Sequence, residues 1–218
     1  MNDAGFSLTF GSLVLQESLL LSLLITVLLA CVGWLAVQRG PSSLLHVAAE
    51  VAMEKIEEAV GDVVPKETVR TVFPFLATLW MYVLCANLIG LVPGLSSPTR
   101  DLSITSAMAV IVFAAVHVYG IRAAGLKRYL SHYLQPSPIL LPFHLISEFT
   151  RTLALAIRLF GNMMSLEMAA LLVLLVAGFL VPIPLLLLHV VEALVQAYIF
   201  GMLALIYIAT ALEASEQD

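Results

Sequence analysis

The sequence is poor in charge: Asp, Glu, Lys and Arg make up 11% of its 218 residues, where a soluble domain carries about a quarter. That scarcity excludes an ordinary cytosolic enzyme. Basic residues are few, with Lys+Arg 10 against Asp+Glu 15 and a net charge of −5, so no basic face exists to grip a nucleic-acid backbone. There are only two cysteines, which excludes a secreted disulfide scaffold; Cys31 and Cys85 lie in apolar runs and read as small buried hydrophobes. What is present is apolar. Hydrophobic residues reach 61% and mean hydropathy is +1.03, which excludes a disordered segment and leaves a polytopic membrane protein without room for a sizeable soluble domain.

A bilayer's hydrocarbon core takes about 20 apolar residues as helix. Uncharged stretches run Ser18–Gln38, Thr71–Thr99, Leu102–Ile121 and Ala193–Leu212. A fifth apolar region, Leu140–Leu180, is interrupted by Glu148, Arg151, Arg158 and Glu167. Five transmembrane helices are the economical count, in one all-α membrane domain over residues 1–218. Residues 1–40 hold the first helix and 41–70 a cytoplasmic amphipathic segment. Residues 71–135 hold helices two and three, and 136–218 a long antiparallel hairpin. The first helix has only Asp3 before it and no positive leader region, so it is expected to be retained.

Basic residues orient the chain. Arg39, Lys55, Lys66 and Arg70 fall between helices one and two, and Arg122, Lys127 and Arg128 between helices three and four; the opposite side offers only Arg100. The N-terminus is therefore expected outside and the acidic tail Glu213–Asp218 in the cytoplasm. In the first loop Leu45, Ala49, Ala52, Ile56 and Ala59 recur at near-helical spacing opposite Glu50, Glu54, Glu57 and Glu58. That predicts an acidic amphipathic helix, N-capped by Ser42 or Ser43, lying at the interface against partner proteins. Pro93, Gly94 and Pro98 mark the turn after helix two. Pro136, Pro138 and Pro142 mark the entry to helix four, and Pro182 and Pro184 the entry to helix five.

Helix four, read from about Phe149 to Ala177, is about 43 Å long against a hydrocarbon core of about 30 Å. The last helix, from Pro184 to Leu212, has the same excess. Either both project beyond the core or both tilt steeply, and the polar residues inside helix four favour the tilt.

A charge at the bilayer centre costs at least about 2.5–3.5 kcal/mol and is by default a functional hypothesis. Arg158 cannot be deprotonated, so it is a fixed positive charge. Asn162 and Ser165 share its helix face, as does Arg151, while Glu167 is rotated to the opposite face. His189, Glu192 and Gln196 form one stripe on the last helix. One antiparallel register, turning near Gly178, places Glu167 by His189 and Arg158 by Gln196, with Asp101 nearby at the outer start of helix three. Blander readings stand beside these. Arg151 either snorkels to the interface or lines an inner aqueous path. Glu148 with Arg151 fits a plain i,i+3 ion pair, and Glu192 a satisfied core carboxylate. His117, His132 and His144 read as interfacial. A His-x-x-Glu pair without further ligands is weak evidence for a metal, so no metal or cofactor is expected.

The run EFTRTLALAIRLFGNM from Glu148 to Met163 resembles the signature of subunit a of the F-type ATP synthase membrane sector, compact bacterial form. So do ANLIGLVPG from Ala86 to Gly94, DLSIT from Asp101 to Thr105 and QAYIF from Gln196 to Phe200. Thr152 stands where the family often has proline, and Ser103 where it often has asparagine. The resemblance implies an ion-translocating stator, non-catalytic because the ATP chemistry lies on other subunits. Two offset half-channels for protons or sodium would meet the rotating c-ring, with Arg158 separating them and Gln196 and Asn162 accompanying it. Glu167, His189 and Asp101 would serve the outer path and Glu148 and Arg151 the inner one, with Glu192 a further ion-translocation candidate. Its implied partners are the c-ring, the b subunits of the peripheral stalk and the rest of the complex, in a bacterial inner membrane. Lysine would substitute poorly for Arg158, because its charge is lost more readily when desolvated.

Two other classes compete with that reading. A secondary ion transporter normally shows internal repeats or broken helices in matching halves, and neither appears. An intramembrane protease needs a nucleophile and base, and no Gly-x-Ser-x-Gly or His-Glu-x-x-His pattern occurs.

Overall fold

In a computed structural model, the structure describes residues 8–10, 13–15, 17–38, 43–92, 95–129, 139, 141–177 and 183–216. Two short strands, β1 (Leu8–Phe10) and β2 (Leu13–Leu15), pair antiparallel with Leu8 opposite Leu15. The hydropathy pattern does not anticipate them, although Gly11-Ser12 between two β-prone triplets is a hairpin signal. Everything else of length is helical: α1 (Glu17–Gln38), α2 (Leu44–Gly61), α3 (Lys66–Leu88), α4 (Leu102–Ala124), α5 (Leu141–Ala177) and α6 (Ile183–Glu216). Two 3-10 turns, η1 (Ile89–Leu91) and η2 (Pro98–Arg100), lie between α3 and α4. Five of these helices, all but α2, are long and apolar enough to cross a membrane, which agrees with the expected polytopic all-α class.

The amphipathic segment forms as its periodicity predicts. Leu45, Ala49, Ala52, Ile56 and Ala59 are half-buried while Glu50, Glu54, Glu57 and Glu58 are exposed, and Ile56, Ala59 and Val60 join the apolar core. Ser43 is the N-cap residue, with extended backbone, but its side chain makes no capping bond. Val47 N–H instead bonds its carbonyl at 3.0 Å, so the cap is positional only. Ser42 falls outside the described residues, as do Pro93, Gly94, Pro136, Pro138, Pro182, Gly178 and His132.

The last two helices are longer than expected. α5 begins at Leu141 rather than Phe149 because Pro142 sits in the first turn, where its missing N–H has no intrahelical partner to lose. Its 37 residues span about 55 Å, and the 34 of α6 about 51 Å. Neither rests mainly on its hairpin partner: α5 packs along α4, and α6 along α3 and α4. Val72, Leu76, Val83, Val112, Leu159, Phe200, Leu205 and Ile208 form the shared core. Close approach of α3 and α6 requires Gly201, since a Cβ there would fall inside the Trp80 indole, which itself stacks on Tyr198 with centroids 6.1 Å apart.

α1 is apolar all round and is fixed to the rest at polar points. Ser18 Oγ donates to Asp101 at 2.6 Å, Ser22 and Tyr82 hydroxyls meet at 2.6 Å, and His46 Nδ1 donates to the Ala36 carbonyl at 2.8 Å.

Candidate functional site

The irregular segment joining α3 to α4 carries small polar residues, and the helices fold around it. Ser97 and Thr99 are buried there with their hydroxyls 2.6 Å apart. Ser97 Oγ donates to the Ala86 carbonyl at 2.7 Å, and Thr99 Oγ1 to Asn87 Oδ1 at 2.9 Å. Asn87 is wholly buried and its Nδ2 has no partner among the described residues. His189 of α6, also buried, donates from Nε2 to the Asn87 carbonyl at 3.0 Å. A carbonyl only accepts, so Nε2 carries the proton and Nδ1 is left to receive one.

Glu167 of α5 enters the same cluster. Its Oε1 accepts the Ser97 backbone N–H at 3.1 Å, and its Oε2 accepts Arg100 Nη1 at 3.1 Å. The side chain of Glu167 is 12% exposed and that of Arg100 is 43% exposed. Gly90 is the common neighbour. A Cβ placed there would stand 3.1 Å from Glu167 Oε1, 3.2 Å from Ser97 Cβ and 3.5 Å from His189 Cε1. Glu167 and His189 thus meet around one glycine, as the antiparallel register requires, without bonding each other.

Asp101 lies beside this cluster as the N-cap of α4, accepting Ser103 N–H at 2.8 Å and the Ser18 hydroxyl. Partial burial alone would push its carboxyl up; the Ser18 and Ser103 hydrogen bonds and the Arg100 charge outweigh that and hold it below the usual aspartate range. Glu192 is half-buried and makes no hydrogen bond among the described residues.

Midway along α5 the picture changes. Arg158 is exposed, with Ala154 and Ser165 exposed on the same helix face and Leu153, Ile157 and Met164 exposed on the flanks. Among the described residues it has neither hydrogen bond nor ion pair. Behind it Asn162 Nδ2 donates to Gln196 Oε1 at 2.7 Å, linking α5 to α6. Gln196 is buried and its Nε2 is unpartnered among the described residues. The hydrogen bond to Gln196 thus comes from Asn162, one helical turn along α5 from Arg158.

Towards the start of α5 Arg151 pairs with Glu148 at 3.7 Å and its guanidinium lies 4.5 Å above the Tyr207 ring, a cation–π arrangement. Thr152, the residue at the expected proline position, bonds back to the Glu148 carbonyl at 3.0 Å, a contact of the kind that bends a helix slightly. His117 donates from Nδ1 to the Phe113 carbonyl at 2.8 Å, and His144 is exposed. A cavity of about 280 Å³ between Pro65, Thr68, Tyr119 and Arg122 shares no residue with either cluster.

Sequence reasoning does not single out Ser97, Thr99, Gly90 or Arg100 as members of the cluster. Arg100 carries one signal, being the lone basic residue on its side. Asn87 and Gly90 lie within a family-like run without an assigned role.

The ATP synthase A chain family matches residues 19–209. ATP synthase subunit a of Legionella pneumophila is 50% identical over 98% of this chain and 94% of its own length. ATP synthase subunit a 1 of Hahella chejuensis is 53% identical over 100% and 94%. ATP synthase subunit a 2 of Pelobacter propionicus is 60% identical over 88% and 85%. With that match running from within α1 to within α6, the chain belongs to the ATP synthase A chain family.

Proposed function

We propose that this chain divides an ion path through the membrane into two halves, with Arg158 as the charge between them. Family membership makes it the non-catalytic, ion-translocating membrane subunit of the F-type ATP synthase, in complex with other subunits of that enzyme, and disfavours the secondary-transporter reading. The finer assignment rests on one observation: Arg158 stands exposed and unpartnered, among the described residues, in the middle of a largely apolar membrane-length helix. A permanent cation at that depth calls for a negatively charged partner outside the chain. In this reading the partner is the carboxylate of each c subunit as the ring turns past. Arg158 favours the unloaded carboxylate and repels the ion, so loading and release occur on opposite sides.

Glu167, His189 and Asp101, with Glu192, serve the outer half-channel. Glu148 and Arg151 serve the inner one, and Asn162 and Gln196 back the arginine. The lone Arg100 on the α3–α4 side against seven basic residues on the other supports an outer N-terminus and a cytoplasmic C-terminus, in a bacterial inner membrane. The acidic face of α2 suits contact with the b subunits of the stalk. Protons and sodium remain the two candidate ions.

Arg158→Ala tests the reading. A cation passing within about 6 Å of a guanidinium, at an effective dielectric of about 20, is repelled by about 3 kcal/mol, or about 100-fold in rate. The variant should assemble, lose ATP-driven pumping in inverted membrane vesicles and leak roughly 100-fold faster passively. Normal pumping in the assembled variant refutes the role.

A further inference from the structure

We propose that Arg100 is a positioning residue of the outer ion path, holding the Glu167 carboxylate aimed across Gly90 at His189. This deepens the assignment above and rests on it. Glu167 is 12% exposed and, among the described residues, has two holders, the Ser97 backbone N–H and the Arg100 guanidinium, one on each oxygen. The amide is fixed by the chain. The guanidinium is the charged holder, and it comes from η2, a different element, so it also ties α5 to the α3–α4 segment.

The groups around Glu167 determine how it responds to losing this holder. Of the titratable and charged groups on the elements packed near this carboxylate, Glu17 on α1, Asp101 after η2 and Glu192 on α6 are acidic. Tyr82 and Cys85 on α3 are ordinarily neutral, and the first four turns of α4 carry none. His189 alone can supply a positive charge in place of Arg100, and its Cε1 borders the same Gly90 Cβ position as Glu167 Oε1. Without Arg100, a mostly buried carboxylate with one remaining hydrogen bond swings onto the imidazole. The Glu167–His189 gap then closes into a fixed pair, and the step between them is lost. A lone arginine on the side that basic residues otherwise avoid is consistent with a specific use.

The test uses the whole complex in inverted vesicles, with Arg100→Gln, Arg100→Lys and Arg158→Ala in parallel and transport normalised to assembled complex. ATP-driven transport is followed by a pH-sensitive dye and by a sodium tracer. Arg100→Gln should lower transport about tenfold without raising passive leak. Arg100→Lys should keep at least half of wild-type transport. Guanidinium loaded into the vesicle lumen, which the outer face contacts, should restore the Gln variant at least threefold, because the native group is 43% exposed. Wild-type transport in Arg100→Gln overturns the proposal. So does a loss that neither lysine nor guanidinium restores, since that marks a purely structural contact. If Arg158→Ala pumps normally, the two-half-channel reading itself fails. If it uncouples while Arg100→Gln conducts normally, only the Arg100 assignment fails.

Discussion

Gly90→Ala puts the least possible bulk at the point where Glu167 and His189 meet. The added methyl carbon would stand 3.1 Å from Glu167 Oε1 and 3.2 Å from Ser97 Cβ, whereas comfortable non-bonded separations are about 3.5–4.0 Å. Oε1 must retreat by about 0.4 Å or more. Its bond to Ser97 N–H is already 3.1 Å, near the long end of the range of about 2.7–3.2 Å for an N–H···O bond, and Ser97 Cβ is pushed from the same point, so the pair has little slack. A hydrogen bond to a charged group contributes about 1.5–3 kcal/mol, and every 1.4 kcal/mol is about tenfold. ATP-driven transport in inverted vesicles should fall between about 10- and 100-fold per assembled complex. Gly33→Ala is the matched control, because a Cβ at Gly33 meets nothing within 4 Å. If Gly90→Ala transports as well as Gly33→Ala at equal complex content, the geometry assigned to this cluster is wrong.

The packing and the caps make two further outcomes testable. Gly201→Ala forces the Trp80 indole out of its place and should destabilise the α3–α6 contact by about 1–3 kcal/mol; a tryptophan-fluorescence melt of the purified complex in detergent, showing a lower midpoint for this subunit, checks it. Asp101 is held ionised below the usual aspartate range, so its contribution to stability is complete above the unfolded value of about 4 and is lost as pH falls through the lower folded one. An acid melt should therefore destabilise the wild type more steeply than Asp101→Asn in that window; parallel curves would contradict the assigned cap and Ser18 bond.

Much of the architecture is legible in the sequence because the bilayer demands it. Long apolar runs can only be helices when no water is there to satisfy the backbone, so hydropathy and a 3.6-residue period yield five spans and the amphipathic α2. Boundaries are less legible. Pro142 reads as a marker ahead of helix four, yet it lies inside the first turn of α5. Helical geometry and an antiparallel register are enough to give the face of Arg158 and the approach of Glu167 to His189. They do not give the Asn162–Gln196 hydrogen bond, because a register sets stripes side by side without saying which side chains bond. Arg100 and Ser97 reach Glu167 from 67 and 70 residues away, through a segment with no period to read. Contacts of that kind depend on how an irregular backbone is threaded between helices, which no local pattern encodes.

The manner in which α1 is attached has a consequence for how the molecule is put together. Much of its flank is bare, with Leu23, Leu24, Val27 and Leu28 all turned outward, while hydroxyl and imidazole groups rivet it at its two ends and once between. A stave held by rivets owes its seat to those few points, and its outward leucines and valines are free to drift among apolar alternatives. The rivets are not. Through Ser18, the opening turn of the first helix touches the same aspartate that starts α4, so a single carboxylate moors two staves at once.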